Sequence, residues 1–510
     1  MKQNGIRILA LILAGIMSLS AFSCAKEEMP SGNPGNSTLA KTDGPANPDG
    51  PAETPDATDP GDASEEAFEE AAAPAETTEP EWPEPDYSDF ELPEDTGKLV
   101  VYVESTMGKA VMDPAIIRFR ELYPSVEVDY TIMGVDEYAA RVQAELPVGR
   151  GPDLFLFRST EIPDIFKTME TEIFADLNPW FAADPEIDPS EFVAGAMKGG
   201  RSRGRQYIVP ICFDAPILVA RRSVLDALGI EDPSDFASMS EAARKFKEIY
   251  PKGTLFMDNG GLNPYVTDMV FLAQFSGLRC IDYQRSAADC DEELAREVMD
   301  LMKLYYIPDY VEYEESKKDR LVTTYMDYEC LLRNDCLFNH WDTSFDRFYS
   351  VCKELNEAGD EAVAFVPRDA KGNTTADIVQ MAAIPQGSQN KLNAWRLLKV
   401  LLSDEIQTAR DKARLDNSIF WSGMPVRLSS LRSVLEFETG FWGYDLNDPE
   451  VKIIFDRFVE LWSSPTDARV LPVIIRRYIN LELMPYVRGE KSWDDCYKRF
   501  LNTLELYASE

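Results

Sequence analysis

The chain has 510 residues, with 89 acidic against 51 basic side chains and a formal net charge of −38. This acidity argues against binding to nucleic acid and against attachment to anionic lipid through surface charge. A single histidine, His340, and the lack of His-Glu-x-x-His, Cys-x-x-Cys and phosphate-loop sequences argue against most enzyme classes, so we predict no catalytic, metal or cofactor site.

The N-terminus has the layout of a secretory signal peptide. Lys2 and Arg7 precede the apolar run 8–17, and small residues then lead to Cys24. The sequence Ala21-Phe22-Ser23-Cys24 resembles a bacterial lipobox, in which the cysteine receives fatty acyl chains such as palmitate. We therefore expect residues 1–24 to direct export and Cys24 to anchor the chain on the extracytoplasmic face of the cell membrane. Ordinary secretion with Cys24 removed is the alternative.

Residues 25–96 are rich in Pro, Ala, Gly, Ser, Thr and acidic side chains. Such a composition cannot bury enough apolar surface to fold, and its charges keep it extended. We predict a disordered acidic tether that supplies roughly half of the negative excess and holds a folded part away from the membrane.

About 414 residues follow the tether, which is more than one hydrophobic core usually holds and predicts two lobes. The first elements alternate as strand, helix, strand, helix, strand. They are a strand Lys98–Val103, a helix from Asp113-Pro114, a strand Val126–Tyr130, a helix Glu137–Leu146 and a strand Asp153–Phe157. This order predicts a parallel sheet covered by helices, with ligands bound beyond the carboxyl ends of its strands.

The rest of the chain is mostly helical in pattern. A strand Gln206–Val209, ended by Pro210, and an apolar run Ile217–Ala220 mark a first crossing between lobes. The later predicted strands are Cys336–Asn339, Ala362–Val366 and Ile378–Ala383. The predicted helices are Arg222–Leu228, Met239–Tyr250, Asn263–Phe275, Glu292–Tyr305, Thr343–Leu355, Lys391–Leu402, Ala468–Tyr486 and Ser492–Tyr507.

Seven cysteines follow Cys24, so at least one of them has no partner within the chain. Cys280 with Cys290, or Cys330 with Cys336, can bridge in an oxidising setting, and a reducing habitat leaves all of them as thiols. The sequence does not choose between these states.

Several motifs, in order, resemble the family 1 extracellular solute-binding proteins, which include maltose-binding and oligosaccharide-binding proteins. They are Phe119-Arg-Glu-Leu-Tyr-Pro124, Gly151-Pro-Asp-Leu-Phe155, Phe174-Ala-Asp-Leu-Asn-Pro179, Gly204-Arg-Gln-Tyr-Ile-Val-Pro210, Ile384-Pro385 before Asn393-Ala-Trp395, Met424-Pro-Val-Arg427 and Gly489-Glu-Lys-Ser-Trp493. The resemblance spans about 98–508.

The resemblance implies a two-lobed α/β fold of the periplasmic-binding-protein type II, each lobe a mainly parallel sheet flanked by helices, with a ligand cleft between them. The expected first lobe is 97–211 with about 366–418, and the second is 212–365 with about 419–510. The implied function is capture of a sugar, in particular an oligosaccharide, for the permease of an ABC importer, by a monomer. The same fold also serves membrane sensors and carries polyols or polyamines, and a two-carboxylate glycoside hydrolase is a remote alternative.

Residue chemistry and position predict the ligand contacts. Aromatic faces pack on sugar rings, while carboxylates and Arg bond hydroxyl groups. The resemblance implies ligand contacts in the loop after the third strand, at the first crossing and after the strand ending at Asn339, and further candidates flank the last crossing between the lobes. The candidates are Phe157, Arg158, Glu161, Asp214, Trp341, Asp342, Trp421 and Trp442.

Overall fold

The computed structural model describes residues 87, 89–104, 108–158, 161–162, 164–256, 271–306, 329–339, 344–409, 423–468 and 471–509. Within these ranges no helix combines the length and apolar character that crossing a membrane requires. The predicted signal segment with Cys24 and most of the predicted tether lie outside the described residues.

The strands are short and fall into several sheets. In chain order they are β1 Lys98–Glu104, β2 Glu127–Met133, β3 Leu154–Phe157, β4 Arg201–Ser202, β5 Arg205–Gln206, β6 Ile208–Asp214, β7 Leu218–Arg221, β8 Thr254–Phe256, β9 Ile281–Asp282, β10 Ala287–Ala288, β11 Cys336–Phe338, β12 Ala362–Phe365, β13 Thr375–Ala383, β14 Met424–Pro425 and β15 Asp467–Ala468.

Helices fill most of the remaining described chain. They are Gly108–Leu122, Val135–Glu145, Ile165–Glu170, Asn178–Ala183, Ala194–Met197, Arg222–Leu228, Phe236–Ile249, Glu292–Leu304, Glu329–Leu332, Phe345–Glu357, Lys391–Leu402, Leu428–Phe441, Pro449–Ser463, Val473–Tyr478, Met484–Val487 and Trp493–Ser509, with further helical residues at 271–276 and 404–409. A π-helical turn, Ile479–Leu483, joins two of the last helices, and 3-10 turns lie at Leu146–Val148, Pro189–Glu191 and Lys198–Gly200.

The first sheet has the strand order β14-β6-β13-β3-β1-β2, and β15 pairs with β13. β2, β1 and β3 are parallel neighbours, as the alternating pattern predicts. In contrast, β13 inserts antiparallel between β3 and β6. The sheet is therefore mixed, because the strand that returns late in the chain enters it in the opposite direction. We call this sheet and its helices the first lobe.

Two prolines occupy positions that differ from the prediction. The first helix begins at Gly108, so Pro114 lies inside it and removes one backbone hydrogen bond. Pro210 was expected to end a strand but lies within β6, opposite Met381 of β13. The register of this pairing shifts on both sides of Gln380, and such a bulge accommodates a residue that has no backbone donor.

The link between the lobes is short at its first crossing. Only Ala215, Pro216 and Ile217 separate β6 from β7. The Ile217 amide donates to the Ala215 carbonyl oxygen at 2.9 Å, so the link makes a three-residue turn around the proline.

The second sheet joins two strand pairs. β8 and β11 are parallel, and β7 and β12 are antiparallel. Val219 of β7 and Asn339 exchange backbone hydrogen bonds of 2.8 and 2.9 Å, which connects the pairs. We call this sheet and the helices packed on it the second lobe.

Both faces of the second sheet are apolar. Leu218 and Ala220 belong to one buried core, whereas Val219 between them belongs to the other, as alternation along a strand requires. The first of these cores includes residues of the helices Phe236–Ile249, Glu292–Leu304 and Trp493–Ser509. The second includes residues of Phe345–Glu357 and Pro449–Ser463 and continues into the first sheet. The predicted lobe boundaries stay a prediction.

Most predicted elements are present, with ends that differ by a few residues. Arg222–Leu228 and Lys391–Leu402 have the predicted bounds. Leu428–Phe441 and Pro449–Ser463 were not predicted as helices. The helix expected from Ala468 begins at Val473, with Pro472 as its N-cap, and Ala468 itself belongs to β15.

The end of the predicted tether packs against the first lobe. The Tyr87 hydroxyl donates to Asp176 at 2.8 Å, and the Phe90 ring lies edge-on to Trp180 with centroids 5.3 Å apart. The folded part therefore begins before Thr96, the predicted end of the tether.

Candidate functional site

Charged side chains meet where β6 and β13 reach the boundary of the first lobe. Asp214 is the last residue of β6 and lies directly opposite Asp377 of β13. Opposed residues on paired strands point to the same face, with Cβ atoms about 5 Å apart. Both residues are half-buried. Two carboxylates are thus neighbours at the position where the sequence predicts a ligand-facing acid.

The second lobe supplies the partners of Asp377. They are Gln274, from the helical residues 271–276, and Arg476, from Val473–Tyr478. Burial raises the pKa of Asp377, and the charge of Arg476 and a hydrogen bond from Gln274 oppose that rise. Burial also lowers the pKa of Arg476, which the charge of Asp377 opposes. The Arg476 guanidinium is held by its own Nε, which donates to the Leu471 carbonyl oxygen at 2.9 Å.

Asp214, Asp377, Gln274 and Arg476, which we call the hinge cluster, offer complementary hydrogen-bonding groups. Carboxylates only accept, a guanidinium only donates, and an amide does both. Because these groups come from two lobes, a solute that bonds to them would hold the lobes together.

Three members of the hinge cluster, Asp377, Gln274 and Arg476, are not among the residues predicted from the sequence. The predicted strand begins at Ile378, one residue after Asp377, so this acid was left outside it. Arg476 follows the apolar residues 473–475 in the helix Val473–Tyr478, in which Ile475 is buried. A charged side chain within an apolar run is the signal that could have identified both, since such charges need partners.

The loop after β3 contains a second charged group, which we call the loop cluster. Arg158 Nε donates to Glu161 Oε1 at 2.8 Å, and the Arg158 backbone amide donates to Glu161 Oε2 at 2.9 Å. Arg158 Nη2 also lies 3.7 Å from Glu104 Oε2, at the end of β1. The two glutamates are 4% and 2% exposed. The predicted ligand residues Arg158 and Glu161 therefore bind each other.

Burial dominates the electrostatics of the loop cluster. It raises the pKa of Glu161, and the charge and hydrogen bonds of Arg158 oppose that rise. Tyr138 donates its buried hydroxyl to the Leu156 carbonyl oxygen at 2.7 Å. Burial, with the charges of Glu161 and Glu104, raises its pKa well above the usual value. All of these groups belong to the first lobe.

The two predicted aromatic contacts in the described chain have different positions. Phe157 is 1% exposed and stacks on Phe155 with centroids 5.1 Å apart, so its side chain belongs to the core. Trp442 is half-buried and ends the helix Leu428–Phe441. The helix begins at Leu428, shortly after β14, and rises about 1.5 Å per residue. Trp442 therefore lies about 21 Å along the helix axis from Leu428.

Trp341, Asp342, Trp421 and the single histidine, His340, lie outside the described residues. Their predicted roles stay predictions.

One sequence pattern associated with hydrolases has a different setting here. Gly200, Ser202 and Gly204 follow the spacing Gly-x-Ser-x-Gly, which in α/β-hydrolases places a nucleophile on a strand-to-helix turn. In this chain the segment forms the β4–β5 hairpin, with Arg203 and Gly204 at positive φ. The Ser202 hydroxyl donates to Glu170. The pattern therefore lies in a β-hairpin and does not form a nucleophile elbow.

The described residues contain no group of three or more His, Cys, Asp or Glu side chains arranged to hold a metal ion. Both cysteine pairs considered from the sequence are brought together as thiols. The Cys330 and Cys336 Sγ atoms are 3.0 Å apart, and hydrogen bonding to Cys290, together with burial, raises the pKa of Cys280.

Comparisons with known proteins agree with this architecture. Residues 104–278 match the model of the family described as bacterial extracellular solute-binding protein. The sugar-binding protein MalE from Xanthomonas citri is 14% identical with a TM-score of 0.55, and the match covers 81% of this chain and 97% of MalE. A periplasmic oligogalacturonide binding protein from Yersinia enterocolitica is 15% identical with a TM-score of 0.53, covering 81% and 99%.

A family 1 extracellular solute-binding protein from Alicyclobacillus acidocaldarius is 13% identical, has a TM-score of 0.50 and is matched over 82% of this chain and all of its own. No curated protein matches the sequence. The predicted resemblance to the family 1 extracellular solute-binding proteins and the two-lobed α/β fold are thereby confirmed.

Proposed function

We propose that this chain is a solute-binding protein of the family 1 type. It captures a carbohydrate, in particular an oligosaccharide, by closure of its lobes. It then delivers the solute to the membrane permease of an ABC importer. In this proposal Cys24 carries the lipid that holds the protein at the extracytoplasmic face, residues after it act as a spacer, and the protein works as a monomer without a cofactor or catalytic step.

The observation that supports solute capture is the hinge cluster. Asp214 and Asp377 lie on strands of the first lobe, and Gln274 and Arg476 come from the second. Bringing buried charges together from two bodies costs desolvation unless each is paired or bound. A polar solute between the lobes would supply further hydrogen bonds to the same groups and thereby favour closure.

Carbohydrate fits this chemistry because each sugar hydroxyl both donates and accepts. Carboxylates accept from hydroxyls, while guanidinium and amide groups donate to them. Trp341 and Trp421 remain the proposed aromatic contacts for the apolar ring faces.

A cationic solute such as a polyamine is the second candidate. The hinge cluster has two carboxylates, Asp214 and Asp377, for one guanidinium, Arg476, so a bound cation would balance its charge. The net charge of −38 would also attract such a solute.

The test is a thermal-shift and calorimetry panel on the chain from Ala25 onward, using mono- and oligosaccharides, polyols, polyamines and amino acids. A solute that binds the folded state raises the melting temperature by an amount that grows with its concentration. We expect saccharide hits, with affinity lowered at least tenfold by Asp214→Asn or Asp377→Asn. The matched control is Asp129→Asn, an exposed acid on β2 of the same sheet.

Hits confined to polyamines would support the second candidate and reject the sugar assignment. Failure of every solute to shift the melting temperature would count against the capture proposal itself. Shortened oligosaccharides in the calorimetry samples, detected by chromatography, would show hydrolysis and reject a pure binding role.

The anchor is tested separately. The full-length chain expressed in a bacterium should fractionate with membranes and gain the mass of a lipid at Cys24. Cys24→Ala should release it or block its processing, and a lipid-free mature chain in the medium would contradict the proposal.

A further inference from the structure

Asp164 lies at the start of a short helix of the first lobe and uses its two carboxylate oxygens differently. Oδ1 accepts from the Phe166 and Lys167 amides at 3.0 and 3.1 Å, which caps the helix Ile165–Glu170. Oδ2 accepts from the hydroxyls of Tyr283 and Tyr507 at 2.9 and 2.8 Å. The residue is 4% exposed. One carboxylate therefore joins a local cap to two distant phenols.

The two tyrosines belong to the second lobe. Tyr283 lies between β9 and β10, Tyr507 lies on the helix Trp493–Ser509, and both pack against the core of that lobe. Asp164, in contrast, follows β3 of the first sheet, and its neighbour Ile165 packs in the first-lobe core. These hydrogen bonds thus run from one lobe to the other.

Two further contacts strengthen this junction. Lys167 Nζ donates to the Tyr507 carbonyl oxygen at 2.7 Å and lies 4.2 Å from the centre of the Tyr507 ring. The rings of Phe166 and Tyr283 pack with centroids 5.4 Å apart. Near-consecutive residues of one helix, Asp164, Phe166 and Lys167, therefore all touch the second lobe.

We propose that Asp164, Phe166, Lys167, Tyr283 and Tyr507 form a latch that holds the two lobes together and sets the balance between open and closed forms. The inference extends the proposed function, since it assigns a regulator of the closure on which solute capture depends. In the part of the chain that the structure describes, the crossings of β6 into β7 and of β12 into β13 lie away from these residues in sequence. The latch residues can therefore separate when the lobes rotate about those strands.

Burial raises the pKa of Asp164, and the hydrogen bonds from the Lys167 amide, Tyr507 and Tyr283 oppose that rise. Burial and the neighbouring charge of Asp164 raise the pKa of Tyr283. Tyr283 and Tyr507 donate their hydroxyls to Asp164, and these two hydrogen bonds favour its charged form. Charge-assisted bonds of this kind are stronger than neutral ones, which suits a contact that must hold two bodies.

The test uses the solute-free chain from Ala25 onward and the variant Tyr283→Phe/Tyr507→Phe, which removes only the two hydroxyls. Small-angle X-ray scattering measures the radius of gyration. We expect the double variant to shift to a larger radius than the parent, with each single variant in between. Hydrogen exchange should also become faster in Ile165–Glu170 and in the β9–β10 turn.

The matched control is Tyr444→Phe, which removes a tyrosine hydroxyl that donates to Asp346 at 2.7 Å without bridging this junction. Its radius should equal that of the parent. Asp164→Asn keeps an oxygen for the helix cap and should behave like the double variant, so a folding defect from a lost cap does not obscure the result.

An unchanged radius and unchanged exchange in both Tyr283→Phe/Tyr507→Phe and Asp164→Asn would overturn the latch. The latch would also be overturned if the parent had the same radius of gyration as Tyr283→Phe/Tyr507→Phe. The scattering experiment contains no solute, so its result stays valid even if no solute raises the melting temperature in the thermal-shift panel. If solutes do bind but the radius of gyration is unchanged in the variants, the latch is rejected and the proposal of solute capture is not.

Discussion

The loop cluster and the hinge cluster are both partly buried groups of charges, but the residues of the first come from one lobe and those of the second come from two. Arg158, Glu161 and Glu104 all come from the first lobe. Asp377 comes from the first sheet, while its partner Arg476 comes from a helix of the second lobe. The first cluster therefore keeps its geometry whatever the lobes do. The second changes its geometry whenever the lobes move.

This difference separates charges that interact within one body from charges that interact across two. Charges within one rigid body keep their partners when the lobes move, whereas charges divided between two bodies lose theirs when the bodies separate. Each cluster includes an acid at the carboxyl end of a strand, Glu104 of β1 or Asp214 of β6, so this position does not distinguish them. We therefore expect substitutions in the loop cluster to act on stability and substitutions in the hinge cluster to act on binding and on pH dependence.

The largest effect is expected from Arg158→Met, because it leaves Glu161 and Glu104 buried without their cation. The free energy of unfolding should fall by about 3–5 kcal/mol, measured by denaturant titration. The control is Arg118→Met, which removes exposed pairs with Glu121 and Glu405 and should cost at most about 1 kcal/mol. A similarly small loss for Arg158→Met would show that the loop cluster is hydrated.

A smaller and pH-dependent effect is expected from Arg476→Met. Removing the guanidinium takes away a charge that opposes the rise in the pKa of Asp377, so this pKa should rise further. A carboxyl with a raised folded pKa contributes stability below its unfolded pKa and loses it as pH rises through the folded value. The variant should therefore match the parent near pH 4 and be about 2 kcal/mol less stable near pH 8.

Melting temperatures across this pH range measure the effect. The double variant Arg476→Met/Asp377→Asn should recover most of the loss at pH 8, since no buried charge remains unpaired. A deficit that is independent of pH would mean that Arg476 acts through packing rather than through Asp377.

The smallest effect is expected from Asp360→Asn in the second lobe. Burial would raise the pKa of Asp360, but hydrogen bonds from Ser223 and Arg221 outweigh it and lower the pKa to about 2. Its stabilising contribution is therefore present above the unfolded pKa, about 3.9, and is lost as pH falls towards 2. The variant should lose about 1 kcal/mol at pH 7 and differ little from the parent at pH 2. Acid unfolding curves that run parallel at all pH values would contradict this assignment.

Local pattern was sufficient for much of the fold. The alternation from Lys98 to Phe157 correctly predicted the parallel half of the first sheet, since each element there buries an apolar face with a clear period. The antiparallel insertion of β13 was not predictable, because pairing between residues far apart in the chain leaves no periodic signal in either strand.

The site was harder to predict than the fold. Asp214 was selected by its place at a crossing, and the structure sets it opposite Asp377. Sequence chemistry also selected Arg158 and Glu161, but it could not show that they satisfy each other. Gln274 and Arg476 are about 200 residues apart, and only the packing of the second lobe brings both to Asp377.

The three-residue link Ala215–Ile217 also limits how far the two lobes can separate. A chain extends by at most about 3.6 Å per residue, so the four steps from Asp214 to Leu218 reach about 14 Å at full stretch, and the turn at Pro216 shortens this. The lobes can tilt but cannot draw apart on this side. Any widening of the space between the lobes must therefore come from rotation that separates them at the opposite rim.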